Sequence, residues 1–411
     1  MKKCIFNAAV VSPGEVLPHH AVITCEDRIL DILPMDELNS GEQDGEEMLY
    51  FDARGGYVMP GFIDIHSDYI EGVIQPRPTC LMDFETGLRE AEKQLLCHGV
   101  TTIYHSLSLM NGSGAEGAGN RHNFRTRENL ERLVGFIKDF HEGCHLIRHR
   151  FHARYEIDNI GIYDYLVELL KSGAVHELSF MDHTPGQGQY RNLEIYAASY
   201  ITWAAACSDK TMDEILAEAK NKPVASHEML KSLSALAHER NIPLASHDDD
   251  TLEKLSLMQN EFGVKISEFP IELEVAKKAH DEGILVVVGA PNIMLGGSHS
   301  GNLSAMEAVR EGAADILCSD YYPASLLHSA FRLEEEGILS LPAAVRMLTL
   351  NPARAMGIDG DYGSVESGKK ADLLVVLKIH NRPMVSKCFI DGRTALQFEY
   401  RIGGGDKHAE R

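Results

Sequence analysis

A chain of 411 residues, 44% of them hydrophobic, is long enough for one large barrel plus a smaller domain. Its formal net charge of -22 argues against nonspecific nucleic-acid or membrane binding, while leaving room for a local basic pocket that takes an anionic small molecule. No apolar run reaches the length of a membrane span, the N-terminus lacks the apolar stretch of a signal peptide, and the eight scattered cysteines include no Cys-x-x-Cys, so a reduced cytosolic protein is expected.

The first fifty residues read as short strands, Cys4–Val11, Ala21–Cys25 and Ile29–Leu33, followed by a polar, acidic loop at Asn39–Glu47. Pro60-Gly61 then turns the chain into an apolar strand, Phe62–Ile65. Seven further strands are expected at Thr101–Ser106, Leu146–Ile157, Glu177–Asp182, Pro243–Ser246, Lys265–Phe269, Ile284–Gly289 and Asp315–Ser319. Helical periodicity falls between them at Ile162–Lys171, Thr211–Lys220, Asp250–Asn260, Ile271–Asp281 and Leu303–Glu311. Asn111–Asn120 is Gly-rich and reads as a loop. Ala371–Leu377 and Val385–Ile390 are strand-like, and Asp391-Gly392 is a hairpin turn signal. Eight alternating units point to a (β/α)₈ TIM-like barrel spanning 58–362. The two ends, 1–57 and 363–411, would pair into a small β-sandwich beside it. A doubly wound sheet is the alternative, but it does not explain polar residues at so many strand ends.

Those strand ends carry the chemistry, because a barrel of this kind builds its active site at the C-terminal ends of its strands. His66 and Asp68 lie two apart at the end of the first strand, so they project from one face and can share a metal ion. Glu156 closes a strand whose even positions, Arg148, Arg150, His152 and Arg154, share its face; a solvated charged strand is the plainer reading of that stretch taken alone. His183 and His247 each end a strand. The carboxylates after His247, Asp248 to Asp250, can orient imidazoles, but for Asp249 and Asp250 helix capping is the first expectation. Asp320 follows the last strand, where it can ligate metal and accept the proton of an attacking water; the competing role is a cap for the helix from Ala324. Cys318 reads as buried and inert. The segment Gly289–Asn302, with Gly296, Gly297, Ser298 and His299, reads as a Gly-rich anion nest leading into a helix, or else as a plain linker. With Arg77, Arg148, Arg150 and Arg154 it forms the set of candidate phosphate contacts.

The strings Pro-Gly-Phe-Ile-Asp-Ile-His, Gly99-Val-Thr-Thr102, Asn351-Pro-Ala-Arg354 and Gly368-Lys-Lys-Ala-Asp-Leu373 resemble the amidohydrolase superfamily. The departure is His66-Ser67-Asp68, where that superfamily usually has His-x-His. No lysine for carboxylation is evident, which leaves Glu156 as the bridging ligand. The stretches around Asp182-His183-Thr184, His247-Asp248-Asp249, Gly296–Asn302 and Asp320-Tyr321-Tyr322 narrow the resemblance to the phosphonate-metabolism amidohydrolases, triphosphate diphosphatases of the carbon–phosphorus lyase pathway. That resemblance implies a divalent metal held by His66, Asp68, Glu156, His183, His247 and Asp320. Zinc is the first choice, one or two ions, with manganese and iron suited to the same donors. It also implies hydrolysis of a ribosyl 5-triphosphate at the α-phosphorus, with release of pyrophosphate and Asp320 taking the proton. The partner is then a phosphorylated small molecule, with no nucleic acid and no membrane, and a homo-oligomer is left open by enzyme base rates. Two other readings stand beside this one: a deaminase or cyclic-amide hydrolase cleaving C–N bonds, and a barrel scaffold without activity.

Overall fold

The computed structural model describes residues 1–38, 48–77, 79–109, 124, 126–143, 145–184, 188, 222–297 and 302–399. Asn39–Glu47, Asn111–Asn120 and the expected helix Thr211–Lys220 lie outside these described residues. Five strands come first: β1 (Lys2–Val11), β2 (Val16–Cys25), β3 (Arg28–Pro34), β4 (Met48–Asp52) and β5 (Tyr57–Pro60). Eight follow as β6 (Phe62–Ser67), β7 (Val100–Leu109), β8 (Arg148–Glu156), β9 (Glu177–Met181), β10 (Leu244–His247), β11 (Ile266–Glu268), β12 (Leu285–Gly289) and β13 (Ile316–Cys318). The chain ends on β14 (Leu373–Ile379), β15 (Arg382–Ile390) and β16 (Arg393–Gln397).

Strands β6 to β13 pair in chain order, all parallel. Backbone bonds close the seam between the last and the first. Asp320 N–H donates to His66 C=O at 3.1 Å, and Asp68 N–H donates to Asp320 C=O at 2.9 Å. The fold is therefore the expected (β/α)₈ barrel. Branched side chains fill its centre, among them Ile63, Ile65, Ile266, Val287 and Ile316, as a parallel sheet buried on both faces requires. The helices lie outside against a second, larger apolar cluster. Their starts are set by short polar caps. Asp83 accepts Thr86 N–H at 2.9 Å before the helix Phe84–Cys97, and Thr251 accepts Lys254 N–H at 3.1 Å before Leu252–Phe262.

Both chain ends form one sheet of eight strands, in which β5 pairs with β1 on one side and β14 on the other. β5 runs across the expected boundary at 57/58 because its residues up to Pro60 pair with Leu373. Ile5, Val10, Val22 and Val58 from the N-terminal part pack with Leu373, Val375 and Phe389 from the C-terminal part. The Asp391-Gly392 turn joins β15 to β16 with φ of 46° and 69°, the left-handed pair that a two-residue hairpin loop needs.

Arg148 ties the sheet to the barrel. Its guanidinium bonds Asp372 through both terminal nitrogens, reaches Asp391 at 2.7 Å, and lies 4.4 Å from the centre of the Tyr362 ring. Burial pushes the Asp372 carboxyl up, against the pull of Arg148, while burial of Arg148 is outweighed by Asp372 and its charge is held more firmly. The two tendencies oppose each other, and the geometry favours the ion pair: it gives both guanidinium edges and the Asp391 N–H an acceptor.

Candidate active site

The ends of the barrel strands converge on one pocket lined by His66, Asp68, Arg154, His247, Asp248, Phe269, Asn292 and Asp320, among others. His66 and Asp68 come from the end of β6 and the residue opening the helix α1 (Tyr69–Ile74); His247 comes from β10 and Asp320 from just beyond β13. Glu156 and His183 join from β8 and the end of β9: His183 Nδ1–H donates to Glu156 Oε1 at 2.9 Å, and Nε2 lies 3.3 Å from Asp248 Oδ2. The six residues named as candidate ligands from sequence thus stand in one neighbourhood.

Glu268, at the end of β11, organises the imidazoles, and sequence reasoning passed over it. Its two oxygens accept from His66 Nδ1 at 2.7 Å and His247 Nδ1 at 3.1 Å. Because a carboxylate only accepts, each Nδ1 carries the proton and each Nε2 keeps its lone pair. Burial holds both rings well below the usual histidine range, so they are neutral. His152, also passed over as a site residue, sits behind them with its Nε2 2.9 Å from Ser179 Oγ. A glutamate closing the short strand Ile266–Glu268, ahead of Phe269, was the available signal for Glu268.

Ligand atoms of His183, His247 and Asp248 lie within 4.8 Å of one another, as do those of His66, His152 and Glu268. The donors fit a divalent cation: neutral imidazoles with fixed tautomers, beside several carboxylates. His183 supports the same view. Burial opposes its charge, but Glu156 and Asp248 outweigh burial and raise it to about 9. An imidazolium between two carboxylates is cationic where a metal would be, and metal binding would displace one of its protons. Burial pushes Asp320 up to about 6, helped by Asp248 and Glu268 and opposed by Arg154. Asp248, Phe269 and Asp320 have φ of 53°, 52° and 56°. Each follows the end of a barrel strand, so left-handed backbone, costly for a residue with a side chain, is concentrated at the rim of this pocket.

The other candidates divide. Arg154 lines the pocket, with Nε donating to Met181 Sδ at 3.1 Å. Arg148 and Arg150 do not reach it, which corrects their placement as phosphate contacts. They sit near the start of β8, at the opposite end of the barrel from Glu156; Arg148 is held by Asp372, and Arg150 Nη1 donates to His141 Nε2 at 2.7 Å. Arg77 is exposed in the turn after α1. Gly296 is also corrected as part of an anion nest. The segment before it is a helix, Ala290–Leu295, and Gly296 is its left-handed C-cap, its N–H already donated to Asn292 C=O at 3.0 Å. Gly297 follows that cap; Ser298 and His299 lie outside the described residues. Nor do Asp249 and Asp250 cap the next helix, since Thr251 does. Asp249 accepts from Ser246 and Ser267 at 2.5 and 2.6 Å, and Asp250 accepts Gly188 N–H at 3.0 Å. Asp320 is not an N-cap either, because the helix Ser325–Glu335 begins after Ala324.

Residues 195–395 match the model of the amidohydrolase family. The chain is 34% identical over 349 residues to the α-D-ribose 1-methylphosphonate 5-triphosphate diphosphatase of Escherichia coli K12, covering 83% of this chain and 89% of that one. In fold it is similar to N-acetylglucosamine-6-phosphate deacetylase from Pasteurella multocida, with a TM-score of 0.63, 13% identity, and coverage of 96% of this chain and 99% of that one. It is similar also to a zinc-bound adenosine deaminase from Xanthomonas campestris, with a TM-score of 0.58, 14% identity, and coverage of 95% and 92%. These barrels share the architecture, and the E. coli relative adds the sequence: the chain belongs to the amidohydrolase superfamily, in the phosphonate-metabolism family of the α-D-ribose 1-methylphosphonate 5-triphosphate diphosphatases.

Proposed function

We propose that the protein hydrolyses α-D-ribose 1-methylphosphonate 5-triphosphate to the 5-phosphate and pyrophosphate. The observation that carries this reading is the pocket itself, where among the described residues neutral imidazoles and several carboxylates face the Arg154 guanidinium. Similarity to the E. coli diphosphatase supports the choice of substrate. His66, Asp68, Glu156, His183, His247 and Asp320 would hold the metal, with zinc the first choice. A divalent ion bound there supplies Lewis acidity toward phosphoryl oxygens and makes water a stronger acid.

The chain's own residues do the rest. Glu268 keeps His66 and His247 in the tautomer that points Nε2 into the pocket. Asp320 accepts the proton of the attacking water at its carboxylate. Arg154 binds an anionic oxygen of the triphosphate and offsets charge that builds on the leaving pyrophosphate. Phe269, Pro270 and Val288 form an apolar wall that limits bulk water.

Phosphorus NMR of products, run beside metal analysis, tests this. Pyrophosphate and a ribosyl 5-phosphate should appear, and at least one equivalent of metal should be bound. His183→Ala and His247→Ala should each abolish turnover and lower metal content. Ammonia release from an amide or nucleobase without pyrophosphate from the triphosphate would replace this reading with C–N hydrolysis, and metal-free protein without activity would mark a scaffold.

A further inference from the structure

The pocket at the strand ends is small. Its volume of about 160 Å³ falls below the roughly 300–1,000 Å³ of small-molecule pockets. A ribosyl triphosphate needs more space than that. A second cavity, of about 610 Å³, adjoins it, and Asp68 lines both. Its other lining residues are Tyr69, Glu71, Gly72 and Val73 on α1, Pro76 after it, Gln94 on the helix Phe84–Cys97, and Tyr321 next to Asp320. Tyr69 Oη–H donates to Gln94 Oε1.

The two cavities differ in the donors they offer. The first carries the carboxylates of Asp68, Asp248 and Asp320 but also the Arg154 guanidinium and the amides of Asn292 and Asn302; the second carries those of Asp68 and Glu71 and, among the described residues, is lined by no Lys or Arg. A polyphosphate finds a guanidinium donor in the first and none in the lining of the second. Two tyrosines with a carboxylate and an amide beside them suit a sugar: ring faces cover its C–H surface, and the polar groups bond its hydroxyls. Tyr321 is 45% exposed and Gln94 is exposed, so both are accessible to a ligand.

Building on the triphosphatase reading above, we infer that the cavity between α1 and Tyr321 is the sugar subsite, which takes the pentose while the phosphate chain lies against Arg154. The α-phosphorus then falls at the junction, beside Asp68 and Asp320. Arg77, exposed and next to Pro76 on the cavity wall, is the cation for the anionic substituent at the far side of the sugar.

Calorimetry on metal-loaded protein tests the assignment with two probes, ribose 5-phosphate and inorganic tripolyphosphate. Tyr321→Ala and Gln94→Ala, both at accessible positions, should each weaken ribose 5-phosphate about tenfold, the worth of one good hydrogen bond or ring contact, and leave tripolyphosphate unchanged. The subsite is overturned if ribose 5-phosphate does not bind the unaltered protein, if it binds both variants equally well, or if tripolyphosphate weakens in parallel. Pyrophosphate release by the unaltered protein is scored separately. Its absence, with the sugar-specific split intact, removes the triphosphatase reading and keeps the sugar subsite.

Discussion

Glu268 touches no solvent and holds two rings at once, so its loss should act through them. Glu268→Gln keeps the volume but offers one acceptor where there were two. Metal affinity should fall about 10–100-fold, read by titration against a competing chelator. Asp320 sits near 6 with no metal bound, and a bound metal pulls it lower. The acid limb of kcat/KM should therefore lie below pH 6: activity rises with pH as the carboxyl loses its proton, then levels. Asp320→Asn should cost about 10²–10⁴-fold in kcat and remove that limb. Five of the six candidate ligands are legible because each ends or follows an apolar strand. Glu156 was less so, because its direction depends on register, and the structure turns it toward His183. Glu268 escaped notice because β11 is only three residues long and its glutamate has no partner nearby in sequence. Arg148 and Arg150 were misplaced for a related reason: alternation gives the face of a strand but not the end of the barrel at which a residue sits.

At the scale of elements, local signals served well where they were chemical and poorly where they were tertiary. Most of the barrel strands fall where an apolar run ends in a polar residue; β8, with its alternating charges, and β12, which ends in Gly289, do not. The short helix Ala290–Leu295 was hidden under a Gly-rich reading, since the glycines mark its end and not a loop along its whole length. The β15–β16 turn offers a clean test. Gly392 has φ of 69°, and a Cβ there would lie 2.0 Å from Glu26 C=O. Gly392→Ala should lower stability by about 1–3 kcal/mol, measured as a shift in urea midpoint, with little change in turnover because the site is remote. Buried strand cysteines give another test. Burial pushes Cys4 up to about 11 and raises Cys318 and Cys388 well above the ordinary thiol range. Native alkylation at pH 8 followed by peptide mapping should mark exposed Cys80 and spare these three until denaturant is added.

For the whole molecule, the ion pair between Arg148 and Asp372 joins two cores that the sequence places 224 residues apart. Arg148→Ala leaves Asp372 buried without its countercharge and should cost about 3–5 kcal/mol in chemical denaturation. Arg148→Met with Asp372→Leu should recover much of that loss. Asp64 supplies a pH test of the barrel interior. It is fully buried, and burial raises it to about 7 despite its bond from Ser319 N–H at 3.1 Å. Its folded value lies above its unfolded one, so the fold favours the neutral carboxyl. The stability it contributes is complete below about pH 4 and is lost as pH rises through about 7. Asp64→Asn in metal-stripped protein should therefore gain in Tm relative to the unaltered protein between pH 5 and pH 8. An unchanged difference across that range would mean that Asp64 does not titrate there.

The seam between β13 and β6 has a consequence for biogenesis. The first ligands leave the ribosome early, but the backbone bonds that seat them come from Asp320, and Ser67 and Ser319, whose hydroxyls meet across the seam, are 252 residues apart. At ordinary elongation speeds that interval lasts about 13–50 s. A nascent chain therefore carries His66 and Asp68 without their closing strand for most of its synthesis. Any metal these residues bind would be taken up only once the strand that carries Asp320 has emerged and docked.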